Sequence, residues 1–313
     1  MVMKNLGKWL IGFSLGFSLS LSGKVSLAET TTNTETSQFN LFQSIILGMV
    51  QGLTEFLPIS SSAHLKVVPV ALGWGDPGVT FTAVIQLGSI AAVLWYFWGD
   101  LSSLTVGMIK AFKESNYQTQ EFKMGLGIAV GTLPIIFFGI LLKVFEPDWY
   151  DGNLRSLTAI ALASIIMAFL LALAEYLGRQ KRDFDHLTTK DGILMGLAQS
   201  LALIPGVSRS GSTITAALFI NLERATAARF SFLLGIPAIS LAGLVELKDV
   251  IDIGINNTEI FSLIVATISS AIFSYLAIAW LIEYLKKQNT WVFVWYRLIF
   301  GTIILLSIFI NNK

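Results

Sequence analysis

The sequence contains no cysteine, only two histidines and little charge: 13% of its 313 residues are Asp, Glu, Lys or Arg. Without cysteine there is no disulfide framework, no thiol nucleophile and no cysteine-ligated metal site. Soluble domains carry roughly a quarter charged residues, so a chain this poor in charge is not a soluble enzyme. A formal net charge of +1 leaves no basic stripe for phosphate backbones, which excludes a nucleic-acid partner. What stands in place of charge is apolar surface, with 54% hydrophobic residues and a mean hydropathy of +0.70. The composition is that of an integral membrane protein.

A helix needs about 20 mostly apolar residues to cross a bilayer. Such runs fall at 77–99, 124–142, 156–174, 230–245, 260–282 and 291–310, predicting six transmembrane helices. Ahead of them, Lys4 and Lys8 precede an apolar stretch, 9–23, followed by Ser26-Leu27-Ala28. Residues 1–28 read as a signal peptide or an uncleaved N-terminal anchor, 29–38 as a polar linker and 39–313 as the membrane-embedded domain.

Loop charge predicts the topology. Basic residues gather in four connections: Lys110, Lys113 and Lys123; Arg179, Lys181, Arg182 and Lys190; Arg224 and Arg229; Lys286 and Lys287. The connections at 29–40, 72–80, 146–155 and 246–259 are poor in them or mainly acidic. Positive loops stay cytoplasmic. Alternating six spans between the two sets leaves 40–76 and 190–228, each of which must enter and leave on one side. Both are predicted to be re-entrant helical hairpins, dipping from opposite faces.

The hairpins also resemble each other. Under one constant offset, Gly48, Gln51, Leu53, Ser60 and Ser62 coincide with Gly196, Gln199, Leu201, Ser208 and Ser210. Gly88 and Gly235 stand near matching places in the spans that follow. Related segments entering from opposite sides are the mark of an inverted-topology repeat with a midplane site. The fold class expected is therefore all-α and polytopic, six spans plus two re-entrant hairpins. Pro58 breaks the first hairpin and Pro205-Gly206 the second, with Ser60, Ser62, Ser208 or Ser210 capping the helices that follow. Two inward-aimed helix N-termini favour a ligand with more than one negative charge.

Gln51 and Glu55 share a helix face. A carboxylate at membrane depth is expensive and usually functional, and such an oxygen pair suits a hard divalent cation, magnesium or calcium. Ser61 takes the place that Arg209 holds in the other copy, so both are expected to face one cavity. His64, one turn beyond Ser61, is a candidate general acid or base, or else a core histidine. Arg209 interrupts an uncharged run from 192 to 222; its planar fork suits phosphate oxygens, with an ion pair to Glu55 as the alternative. Ser208, Ser210 and Thr213 add neutral donors. One copy thus supplies acid, nucleophile and base, the other the cation, a constellation for phosphoryl transfer. Arg297 reads as an interface anchor or as support for the site; Glu175 and Glu283 read as interface markers, and Trp95, Trp98, Trp291 and Trp295 as an aromatic belt.

At this point "QGLTEFLPISSSAH" (51–64) and "PGVSRSGST" (205–213) resemble the two signatures of the undecaprenyl-diphosphate phosphatase family of the bacitracin-resistance type, and the resemblance covers about residues 39–310. It implies a metal-dependent hydrolase of the bacterial plasma membrane. Such an enzyme removes the terminal phosphate of undecaprenyl diphosphate, a polyprenyl lipid, and returns the monophosphate carrier to cell-wall synthesis. It implies Glu55, Ser61, His64 and Arg209 as catalytic residues and Gln51 with Glu55 at the divalent cation. Ser60, Ser62, Ser208, Ser210 and Thr213 are implied around the diphosphate. Because the first hairpin begins outside, chemistry is expected to face the outer side. The rival expectation is a transporter or flippase of polyprenyl phosphate lipids, since inverted repeats with broken helices are also transporter architecture.

Overall fold

The computed structural model describes residues 39–145, 154–253 and 257–311. The expected signal peptide or anchor, the linker and most of the 146–155 connection lie outside the described residues. Among the described residues the chain folds into eleven α-helices: α1 (Leu41–Phe56), α2 (Ser61–Ala71), α3 (Gly78–Tyr96), α4 (Trp98–Lys113), α5 (Gln120–Phe145), α6 (Leu157–Leu177), α7 (Thr189–Ser200), α8 (Arg209–Phe219), α9 (Arg224–Ile253), α10 (Asn257–Leu285) and α11 (Trp291–Asn311). The protein is an all-α, multi-pass membrane protein.

Among the described residues, five helices are long and apolar enough to cross a membrane: Gln120–Leu142, Leu157–Leu177, Arg224–Lys248, Ile260–Leu285 and Trp291–Ile310. They coincide with five of the six expected spans. The first expected span, 77–99, behaves differently. Its helix stops at Tyr96, and the chain turns by 65° into α4, the geometry of a broken span or of a re-entrant loop. The apolar run is continuous through Phe97 and hides the turn; apolarity reports depth in lipid, not direction.

Each of the two segments predicted as hairpins contains a pair of short helices. The 16 residues of α1 and 11 of α2 reach about 24 and 16 Å at 1.5 Å per residue, short of the ~30 Å hydrocarbon layer. The helix α1 starts on a capping box in which Asn40 and Gln43 exchange side-chain and backbone bonds. It ends because the ring of Pro58 forces Leu57 out of the helical region, to ψ 144°. In the second hairpin, α7 starts on the equivalent box of Thr188 and Asp191. It tightens into a 3-10 turn at Leu201–Leu203 and breaks at Ile204, extended before Pro205. Gly206 follows at φ 93°, its backbone so close to Ile160 that an added Cβ would lie 2.6 Å from the Ile160 carbonyl oxygen.

The breaks finish alike. Ser60 and Ser208, related by the offset, both adopt left-handed conformations at φ 75° and 74°, strain of about 1–3 kcal/mol each. The expected caps divide. Ser208 Oγ accepts from Gly211 N at 3.1 Å. Ser60 stands at the cap position without that bond, its hydroxyl 3.1 Å from Ser62 Oγ instead.

The four basic connections meet at one end of the molecule. Arg229 pairs with Asp100 and lies over the Phe184 ring; Gln120 donates to the carbonyls of Phe184 and Leu187; Lys181 and Arg182 donate to the Asn221 carbonyl. Glu175, expected at the interface, is buried there by Arg224 and Thr290. The hairpin α7–α8 starts and ends at this end. The hairpin α1–α2 belongs to the other: Ser262, at the start of α10, donates to Phe39 O, and Lys66 donates to Arg155 O.

Small residues let the arms pack closely, as membrane helices require. A Cβ on Gly48 would lie 2.2 Å from Ala266 O, so α1 presses on α10; a Cβ on Gly196 would lie 2.1 Å from Gly131 O, so α7 presses on α5.

Candidate active site

The tips of the two hairpins meet inside the protein. Ser210 Oγ donates to Leu57 O at 3.0 Å. Arg297, 1% exposed on α11, clamps both breaks: it donates to Pro58 O at 3.0 Å, Gly206 O at 2.7 Å and Ser164 O at 3.2 Å. It supports the tips rather than anchoring at an interface. The signal was its charge within an apolar run; the partners, far away in sequence, were not readable. Arg297→Met would strip three buried carbonyls of their donor, at about 1–3 kcal/mol each. We expect a markedly lower unfolding midpoint in detergent together with lost activity. An unchanged midpoint would remove the clamp from this account.

Between the tips lies a cavity of about 190 Å³. One wall is polar, with Glu55 from the end of α1, Ser60, Ser61 and Ser62 from the start of α2, and Ser208 and Arg209 from the start of α8. The other is apolar, with Ile135 of α5, Ala202 of the 3-10 turn, and Ala238, Ile239 and Ala242 of α9. Both α2 and α8 therefore present their N-termini, the positive ends of their dipoles, to one space.

Glu55 is the centre of the polar wall. Its Oε2 accepts from Ser61 Oγ at 2.7 Å and from Gln51 Nε2 at 3.2 Å; its Oε1 lies 3.4 Å from Arg209 Nη2. Gln51 also donates to Ser89, which bonds Ser270 and Ser274, tying α1 to α3 and α10. The arginine and carboxylate side chains are only 8% and 9% exposed, so the pair sits in a weakly screened environment. Among the described residues, Arg209 Nε and Nη1 have no hydrogen-bond partner. The guanidinium lies 5.8 Å from the Phe56 ring centroid and crowds Gly235, where a Cβ would lie 1.8 Å from Nη1.

The structure thus brings together Glu55, Ser60, Ser61, Ser62, Ser208 and Arg209. Gln51 stands behind the wall, its amide directed at Glu55. Ser210 is turned to Leu57, and Thr213 bonds Arg209 O at 2.8 Å and Ser231 Oγ at 2.5 Å. His64 is also off the wall. Its Nδ1 lies 2.7 Å from Ser60 O and its Nε2 lies 2.6 Å from Tyr296 OH. Its ring stacks on Phe300 at 4.3 Å. A carbonyl needs a donor, so Nδ1 carries the proton and Nε2 accepts from the tyrosine. In this arrangement the base within reach of Ser61 is Glu55, and His64 steadies the strained Ser60.

No group of three or more His, Asp or Glu side chains that could hold a metal occurs among the described residues. Glu55 is the single carboxylate of the cavity. These residues alone do not form a closed cage; one carboxylate and several hydroxyls would serve a hard cation only where a ligand adds oxygens of its own.

Comparison with known proteins gives the constellation its place. The family described as "Bacitracin resistance protein BacA" matches residues 44–303. A protein of Synechocystis sp. named undecaprenyl-diphosphatase is 66% identical over 269 residues, 86% of this chain and 82% of the relative. Proteins of the same name from Nostoc sp. and Trichodesmium erythraeum are 64% and 60% identical, covering 86% and 88% of this chain and 84% and 88% of their own lengths. Every residue of the polar wall, and both hairpins but for the first three residues of α1, fall inside the matched region, and the chain belongs to the BacA family of bacitracin resistance proteins.

Proposed function

We propose that this protein hydrolyses undecaprenyl diphosphate to undecaprenyl phosphate and inorganic phosphate, by way of Ser61. The observation that carries this reading is the 2.7 Å bond from Ser61 Oγ to Glu55, in the same cavity as a buried arginine with two unpartnered nitrogens. The diphosphate binds between Arg209 and the helix N-termini, and the isoprenoid tail follows the apolar wall towards lipid. As Ser61 Oγ attacks the terminal phosphorus, Glu55 takes its proton and the bridging P–O bond breaks. The lipid monophosphate leaves with its negative charge facing Arg209. Glu55 passes its proton to the departing monophosphate and is free for the second step. Water attacks the phosphoserine and gives a proton to Glu55, which returns it to the serine oxygen as the Ser61 O–P bond breaks and inorganic phosphate leaves. The Ser61–Glu55 pair is a feature that flipping alone does not call for.

A divalent cation, magnesium or calcium, held by Glu55 and the phosphates would neutralise charge on the reacting phosphoryl group. We further propose that the two halves are an inverted-topology repeat in the bacterial plasma membrane. The basic end is cytoplasmic, so the first hairpin begins on the outer side. The test is phosphate release from undecaprenyl diphosphate by purified protein. Release is expected to fall to background with chelator and return with magnesium or calcium. An undiminished rate in chelator would remove the cation; absence of release under every condition would remove the hydrolase.

A further inference from the structure

Gln199 is wholly buried on α7, and both polar atoms of its amide lack a hydrogen-bond partner among the described residues. Its counterpart under the offset, Gln51, is equally buried but donates to Glu55 and Ser89. The sequence explains the difference. Four residues beyond Gln51 stands Glu55; four beyond Gln199 stands Leu203. Gly88 is followed by Ser89, Gly235 by Ile236. Gly48 crosses α10 at Ala266, four residues before Ser270; Gly196 crosses α5 at Gly131, four residues before Ile135. At each of these positions a polar residue in the Gln51 set corresponds to an apolar one in the Gln199 set.

The register of α5 on α7, with Gly127 against Gly192 and Gly131 against Gly196, brings Ile135 alongside Gln199 and Ser200. Ile135 is on the cavity wall, and so is Ala202, one turn beyond Gln199 on its own segment. Arg209 lines the cavity as well, and its buried Nε and Nη1 have no hydrogen-bond partner among the described residues. Buried amides without partners are rare in folded proteins and call for an explanation. Gln199 is not itself a lining residue; it stands one turn behind Ala202, which is one, and the ligand proposed for the cavity brings phosphate oxygens.

We propose that Gln199 is a diphosphate-binding residue. Its amide NH2 donates to a phosphate oxygen held by Arg209, and its carbonyl oxygen receives an N–H of Arg209 as the guanidinium turns onto the phosphate. The proposal rests on the hydrolase reading given above. Gln199→Leu tests it, because leucine keeps the bulk and removes the amide. Since the amide bonds none of the described residues, the unfolding midpoint in detergent is expected to hold or rise. The kcat/KM for undecaprenyl diphosphate is expected to fall roughly 10- to 100-fold, the worth of a hydrogen bond to a charged group. Gln199→Met, with a more pliable side chain, is measured beside it in case leucine overpacks.

Unchanged kcat/KM in either stably folded variant overturns the proposal. A lowered midpoint in both overturns it too, by making the amide structural. A wild-type protein that releases no phosphate removes the underlying reading instead, and the two failures are told apart in one assay.

Discussion

Ser61→Ala is expected to lower kcat for phosphate release by about ten-thousand-fold or more, with KM little changed. A nucleophile contributes only once the reaction begins, so its loss falls on kcat, and partners that act as a unit lose nearly everything together. Glu55→Gln is expected to cost roughly a hundred- to ten-thousand-fold, the usual worth of a positioned base. The glutamine keeps the shape but takes no proton from Ser61, and its NH2 would confront the amide of Gln51 and the guanidinium of Arg209. Because the hydroxyl and carboxylate share one bond of 2.7 Å, the double variant should be no worse than Ser61→Ala. Steady-state phosphate release in detergent, with unfolding midpoints to show that each variant folds, is the check. A Ser61→Ala enzyme within ten-fold of wild type would remove the serine from the mechanism.

Arg209→Lys is expected to lower kcat/KM by roughly a hundred- to a thousand-fold, the range for loss of an oriented charged donor in a dry site. The arginine has two tasks at once. Nη2 lies against Glu55, while Nε and Nη1 remain for phosphate. An ammonium is a point charge and cannot divide itself between carboxylate and phosphate as a planar fork does. Ground-state binding is expected to suffer as well, so KM should rise as kcat falls. A lysine variant within three-fold of wild type in kcat/KM would contradict the role.

Much of this site was legible because breaks in membrane helices have few causes. Pro58 and Pro205-Gly206 each disfavour helix at the residue before them, and the loop charges pointed to hairpins there, whereas Pro69, Pro134 and Pro237 sit inside helices. The approach of Arg209 to Glu55 followed from burial, since a lone charge at that depth requires a partner. Other features depend on contacts that no local pattern announces. His64 is locked by Tyr296 and Phe300, which stand on the last helix of the chain. The same helix supplies Arg297, whose charge is absorbed by backbone carbonyls that carry no side-chain signature. Ser60 has the right residue type for a cap, but its left-handed backbone turns the hydroxyl to Ser62. The apolar wall comes from three elements far apart in sequence, and each reads on its own as ordinary membrane helix.

The measurement that bears most directly on the central claim is the stereochemical course at the transferred phosphorus. It would use an isotopically chiral phosphorothioate at the terminal position of the lipid diphosphate. Attack by Ser61 followed by attack of water is two in-line displacements, and two inversions give net retention. Direct attack by water on the lipid diphosphate is a single displacement. Retention is the predicted outcome; inversion would show that Ser61 never carries the phosphoryl group.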